Sequence, residues 1–334
     1  MIETPRVLPE TPAATDLLSD LLGSMHLSGA VFLRTEFREP WSILTPDACL
    51  LAHLLRLRSE RTIPFHIIAE GGCRLEMEGH EPVWLDEGDA VLLPYGNAHV
   101  LSGRNRSDTV PVGALVPPPP WDGIQVLRHG GEGTPTQLVC GFLQCDELRF
   151  HPILRHLPGI IHVSPTAAPG DEWLAGTIRH TAHEACQARP GARCVVPLLT
   201  ELLFVEILRT HMQSLSSDEV GWFAALNDPV VGVALKCLHA APLAPWDVDG
   251  LARRVGVSRS VLAGRFRHFL GQPPMQYLTH WRLQLAAQTL KESTLPMKRI
   301  AEQAGYESEA AFSRSFRRHF GQPPAAWRKQ QKSA

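Results

Sequence analysis

An internal repeat near the C-terminal end constrains this chain more than any other feature. Arg265–Pro274 reads RFRHFLGQPP and Ser315–Pro324 reads SFRRHFGQPP, an offset of 50 residues. Upstream, Leu251-Ala252-x-x-x-Gly256 answers Ile300-Ala301-x-x-x-Gly305 at an offset of 49, so one extra residue sits in the second turn. Each copy reads as an apolar helix, a glycine turn, a second helix with arginine on its outer face, then Gly-x-Pro-Pro. The small alanine lets two helices pack closely, the glycine permits a tight turn, and a serine caps the next helix. The pattern predicts first helices over Asp247–Val255 and Met297–Gln303. It predicts outer helices over Arg259–Phe269 and Ser308–Phe320. The expected inward faces are Val261, Leu262, Phe266 and Phe269 in one copy, and Ala311, Phe312, Phe316 and Phe320 in the other.

Charge gives the repeat a direction. The whole chain of 334 residues carries 32 Lys+Arg and 34 Asp+Glu, a net of −2. Residues 247–334 alone hold 15 Lys/Arg and 6 Asp/Glu, a net of +9, while residues 1–246 hold 17 and 28, a net of −11. Such asymmetry points to a basic nucleic-acid module joined to an acidic partner. A linking helix over Met275–Lys291, about 25 Å long at 1.5 Å per residue, would set the two outer helices in successive major grooves of double-stranded DNA.

These residues resemble the AraC/XylS family of bacterial transcription regulators. The likeness rests on Leu251-Ala252, Gly256-Val257-Ser258, Leu262-x-x-x-Phe266, Gly271-x-Pro-Pro, Ile300-Ala301, Gly305-Tyr306, Phe312-Ser313-Arg314-x-Phe316 and Gly321-x-Pro-Pro324, and spans Asp228–Arg328. It implies a double helix-turn-helix that reads bases from the start of each outer helix. The family's base-reading positions fall on Glu309, Ala310, Ser313 and Arg314 in the second copy, with Arg314 the foremost, since arginine can bond guanine twice. In the first copy they fall on Arg259, Ser260, Ala263 and Gly264. Gly264 departs from the pattern because glycine reads no base, and Arg259 or Arg265 is expected to compensate. Arg253, Arg267, Lys298, Arg317 and Arg318 are assigned to phosphates or solvent.

The N-terminal half reads differently. Short apolar segments at Ala30–Arg34, Cys49–Arg58, Thr62–Ala69, Cys73–Met77, Ala90–Leu93 and Gln137–Cys145 alternate with turn residues, which predicts strands in a sandwich or barrel. Gly88–His99 spells G-x5-P-x-G-x2-H and resembles the second cupin motif; Phe65–Gly72 resembles the end of the first. That resemblance implies a cupin-like β-barrel carrying the signal. Two departures speak against an ordinary cupin dioxygenase: only His66 stands in the first motif, and Gly103 replaces the trailing asparagine of the second. His66, His99, Cys140 and Cys145 are the candidate zinc set, with the three-ligand group His66, His99 and Cys140 as the fallback. Cys140 and Cys145 are five apart on one strand and would face opposite sides unless a bulge intervenes. Oxidation of Cys73, Cys140 or Cys145 is a rival use of the thiols, a sugar-like ligand in the barrel is another, and a hydrogen-bonded histidine pair with inert core cysteines is the plainest.

From Asp171 to Ser214 the period turns helical, broken near Arg189–Arg193 where Cys186 and Cys194 are expected to be structural. Val196–Met212 suits an apolar helix or a dimer face. The resulting expectation is an α+β multidomain chain: a cupin-like sensor over 1–165, a helical linker over 166–226 suited to dimerisation, and an all-α double helix-turn-helix over 227–334. Its partners are DNA, a second copy and an unknown effector. The competing reading is a cupin-type metalloenzyme fused to a DNA-binding domain. No catalytic triad, phosphate loop or paired-carboxylate motif is visible. No run of about 18 apolar residues marks a membrane span. Seven cysteines, an odd count, and an acidic Pro-rich start without a basic-then-apolar leader give a reducing cytoplasm as the expected location.

Overall fold

The computed structural model describes residues 16–23, 28–56, 61–118, 121, 123–145, 157–164, 172–187, 189–215 and 219–333. It divides into two compact units, one made of His26–Asp146 and Leu157–Ser214, the other containing Leu215–Ala334.

After a short helix α1 (Leu17–Gly23) the first unit begins with β1 (Ser28–Arg38), β2 (Ser42–Thr45) and α2 (Ala48–Leu54). It continues through β3 (Arg61–Glu70), β4 (Gly72–Met77), β5 (Val83–Asp86), β6 (Ala90–Leu92), β7 (His99–Ser102), β8 (Val110–Pro111), β9 (Gln125–Gly130), β10 (Pro135–Cys145) and β11 (Ile161–Val163). Two sheets form, one ordered β11-β6-β3-β10-β1-β9 and the other β5-β4-β7-β2-β8. The sheet-rich class is as expected, but no ladder joins the two sheets into a closed barrel among the described residues. Alternation explains the layering. On β3, His66 and Ile68 face the opposite sheet, where Ile68 joins a core of Leu33, Phe37, Trp41, Leu75, Val91 and Leu138. Ile63, Phe65 and Ile67 on the same strand are equally buried on the other face. That face is covered by α3 (Glu172–Cys186) and α4 (Ala192–Ser214), which pack on each other and on β1. A Cβ on Gly29 of β1 would sit 2.7 Å from Thr200 of α4, so the close approach of helix and sheet needs glycine there.

One expected strand is a helix. The expectation of β over Cys49–Arg58 fails because a short apolar run does not declare its period. Asp47 decides the matter: its carboxylate accepts from the backbone N–H groups of Cys49 and Leu50, each at 2.9 Å, and starts α2. Leu51 and Leu55, one helical turn apart, then bury against Phe142.

The second unit is helical: α5 (Trp222–Asn227), α6 (Val231–Ala240), α7 (Val248–Arg254), α8 (Arg259–Leu270), α9 (Pro274–Glu292), α10 (Met297–Gln303), α11 (Glu309–Phe320) and α12 (Pro324–Ser333). Leu283, Ala287 and Leu290 of α9 pack with Ile300 and Ala301 of α10 and with Phe312 and Phe316 of α11. A buried hydrogen-bonded chain fastens the first half. Trp222 Nε1 donates to the Tyr277 hydroxyl at 3.1 Å, and that hydroxyl lies 2.8 Å from His239 Nε2. Burial holds the His239 imidazole down to about 3, so the ring is neutral at pH 7.

Candidate nucleic-acid interface and sensor core

The repeat builds two equivalent motifs. Gly256 (φ 73°) and Gly305 (φ 78°) take the left-handed conformation between the helices of each pair. The next helix then starts on a serine: Ser258 Oγ accepts from Val261 N at 3.3 Å, and Ser308 Oγ from Ala311 N at 3.2 Å. The buried stripe of α8 is Leu262, Phe266 and Leu270. Val261, expected in the core, is 45% exposed, and Phe269 is only half-buried. In α11 the buried residues are Phe312, Ser315 and Phe316, with Ala311 and Phe320 at the margin. A spacing of four keeps Leu262, Phe266 and Leu270 on one line; Val261 falls about 100° away on the outer surface.

The two outer faces differ in what they leave free. On α11, Glu309, Ala310 and Arg314 are exposed and Ser313 is half-buried; Arg314 has no hydrogen bond or ion pair among the described residues. On α8, Ser260 is exposed, with its hydroxyl 3.0 Å from that of Ser258, and Ala263 is half-buried. Gly264 faces open space, with nothing within 4 Å of where a Cβ would stand. Arg259 lies 3.7 Å from Asp249, and Arg265 forms a 2.5 Å ion pair with Asp228. Asp228 is itself held, its other oxygen accepting from Val230 N and Val231 N at 2.9 and 2.7 Å. Of the two arginines assigned to compensate for Gly264, Arg265 is therefore held inside the unit, while Arg259 stays exposed beside a likewise exposed Asp249. Sequence reasoning missed Val261, whose signal was an apolar residue in the first turn, outside the spacing of the buried stripe.

In the sheet unit three candidate side chains meet in a row. Cys140 Sγ lies 2.9 Å from His66 Nδ1, His66 Nε2 lies 2.8 Å from His99 Nε2, and His99 Nδ1 lies 3.0 Å from the Asn97 carbonyl. The carbonyl can only accept, so His99 Nδ1 carries the proton. Burial holds His99 down to about 4, and burial together with the neighbouring His99 lowers His66 well below its ordinary value. Both rings are neutral at pH 7. Hence His99 Nε2 accepts from His66 Nε2–H, and His66 Nδ1 accepts from the Cys140 thiol, which burial pushes up. Every polar atom of the row has one partner.

That row does not fit zinc. His66 stands between the other two, so an ion at Nε2 meets His66 and His99 but not Cys140. An ion at Nδ1 meets Cys140 but not His99. Cys145 is not brought to the cluster: it pairs with Arg61 while Cys140 pairs with His66. Five residues separate them along an unbroken register, roughly 17 Å at 3.4 Å per residue. No group of three or more His, Cys, Asp or Glu among the described residues converges on a point that could hold a metal. Cys73 is fully buried, and burial plus the nearby Asp89 carboxylate raise its thiol to about 12. The cavity between the sheets beside His66 and Cys140 measures about 30 Å³, enough for one water. The missing asparagine of the motif also has a physical reason. A Cβ at Gly103 would lie 2.9 Å from both Trp41 Nε1 and Glu39 Cγ.

A paired helix-turn-helix on a basic segment, carried by a chain with a cupin-type sheet unit, defines a DNA-binding transcription regulator. Comparison with known proteins agrees. A family model described as "Cupin" matches residues 16–213, and one described as "Helix-turn-helix domain" matches residues 251–330. An AraC-like transcription regulator of Streptomyces lividans is 36% identical over 277 residues, covering 82% of this chain and 89% of that one. The HTH-type transcriptional regulator AlkR of Acinetobacter baylyi is 30% identical over 321 residues, covering 94% and 99%. Among solved structures, the DNA-binding domain of AdpA in complex with a target DNA is 32% identical over 32% of this chain and 96% of that one, with a TM-score of 0.30. The chain belongs to the AraC-type transcription regulators with an N-terminal cupin domain. It is a regulator rather than an enzyme, as its relatives are. No helix among the described residues is long and apolar enough to cross a membrane.

Proposed function

We propose that this regulator binds DNA as a homodimer, reads bases mainly through α11, and answers to a small molecule taken up by its sheet unit. The unequal outer faces carry the first part. Arg314 stands free in the second turn of α11, whereas Arg265 of α8 is held by Asp228, Arg259 lies 3.7 Å from Asp249 and Gly264 offers nothing. On this reading α8 contributes apolar contact from Val261, suited to a thymine methyl, together with phosphate contacts. Homodimerisation is supported by α4. Its inner face buries Val196, Thr200, Leu203, Phe204, Ile207 and Leu208, while Val195, Leu198, Leu202 and Val205 recur at spacings of three and four along the other side. That spacing suits the seam of a two-helix coiled coil, and Leu198 is 65% exposed. A small molecule is favoured over zinc or oxidation because the Cys140–His66–His99 row is internally satisfied and the Cys73 and Cys140 thiols are raised.

The test is operator selection from genomic fragments with the full-length protein, followed by affinity measurements against single-base variants. Arg314→Ala should cost about 1–3 kcal/mol at one base pair of the selected site and little elsewhere. Equal weakening on all sequences would refute the base-reading role. Metal analysis of the purified protein should find no stoichiometric zinc.

A further inference from the structure

One cleft of the sheet unit lies outside the sandwich, between the helix-covered face of the six-stranded sheet and α3. Its volume is about 440 Å³, within the usual range of small-molecule sites. One wall is a single face of α3: Ala175, Ile178, Arg179, Ala182, His183 and Cys186 recur at the spacing of that helix. The floor is Ile67 and Ala69 of β3, and Glu87 stands at the opposite rim. Small residues at 69, 175 and 182 keep the cleft open; Ile67 and Ile178 are buried beneath them, and Glu87, Arg179 and His183 are exposed at its edges.

The charged groups around it are not equivalent. Glu87 already accepts from the backbone N–H of Gly71 at 3.3 Å. Gln137 is bonded to Glu70, and His183 to Gln187 at 2.9 Å. Arg179 has neither an ion pair nor a hydrogen bond among the described residues, although it sits in the α3 wall beside His183. An apolar cleft with one unpartnered guanidinium is complementary to a compact apolar molecule bearing a single carboxylate, which arginine can hold through two parallel hydrogen bonds. We propose that the α3 cleft binds such a monocarboxylate, with its apolar body over Ala69 and Ala175 and its carboxylate on the exposed Arg179. The inference deepens the reading that the sheet unit receives a small-molecule signal: α3 packs against α4, which carries the expected dimer seam.

Cys186 at the end of the cleft gives a direct readout, since it is half-buried while Cys49 is exposed elsewhere on the unit. The full-length protein is labelled with N-ethylmaleimide, with and without 2-naphthoate or its uncharged isostere 2-naphthamide, and each cysteine peptide is quantified. The cleft predicts that naphthoate slows modification of Cys186 but not of Cys49, and that naphthamide protects at least about tenfold more weakly in concentration. Arg179→Met should remove the preference for the acid and leave circular dichroism unchanged. Equal protection by acid and amide, a preference that survives Arg179→Met, or no protection would overturn the proposal. So would protection that rises with protein concentration alone, which would mean that a second copy covers the cleft. Operator affinity measured in parallel separates the two claims. Naphthoate that protects Cys186 without changing DNA binding keeps the site and removes its signalling role.

Discussion

The buried histidines set a pH response that can be read residue by residue. His99 has its folded pKa near 4 and His66 is also lowered, against an ordinary value of 6.5. Above about pH 6.5 the rings are neutral whether the chain is folded or not, and they do not affect stability. Below it the unfolded chain binds protons that the folded chain refuses, so stability falls with pH until His99 itself protonates near 4. His239, held near 3 in the helical unit, adds to the same slope. Denaturant midpoints should therefore fall between pH 6.5 and 4, and His99→Gln should make the fall shallower. A midpoint independent of pH over that window would show the rings to be solvated. The histidines were legible in sequence as a pair, and Cys140 as their companion. Their order in a row was not, because it depends on strand register and on one carbonyl two residues before His99. The engagement of Arg265 was equally hidden, since Asp228 lies in a different segment from its arginine.

At the scale of elements, the helices that repeat themselves were the readable ones. Met297–Gln303 was placed to the residue, and α8, α9 and α11 to within one residue at each end, because glycine turns and serine caps punctuate them. The sheet unit was harder. The segments of β1, β3, β4, β6 and β10 stand out as apolar runs between turn residues, but β8 has two residues and β11 three, too few to stand out. The α2 segment failed for the same reason, and only its cap at Asp47 distinguishes it. Long helices are a firmer basis for prediction. If the outer stripe of α4 is the seam between copies, Leu198→Glu should convert a dimer to a monomer in sedimentation at micromolar concentration. The monomer should keep its circular dichroism, since Leu198 is 65% exposed and contributes little to the core of one chain. A monomeric wild type would dismiss the seam.

For the whole molecule, the near-neutral total hides the property that matters. A net of −2 describes no part of the chain, and the basic segment at +9 should make binding to DNA fall steeply as salt rises. That electrostatic hold is unspecific, and the fold does not add as much to it as it could. Gly264 lies in a helix, at the position equivalent to Arg314, with free space around it and an ordinary right-handed conformation. A good helix former there would relieve up to about 1 kcal/mol of helix cost. Gly264→Arg should accordingly raise thermal stability and tighten binding to the operator, checked by melting and by anisotropy titration. A regulator that must leave its site gains from an unfinished grip. Should Gly264→Arg slow dissociation, the bare spot on α8 is what keeps the residence time on DNA shorter than the scaffold allows.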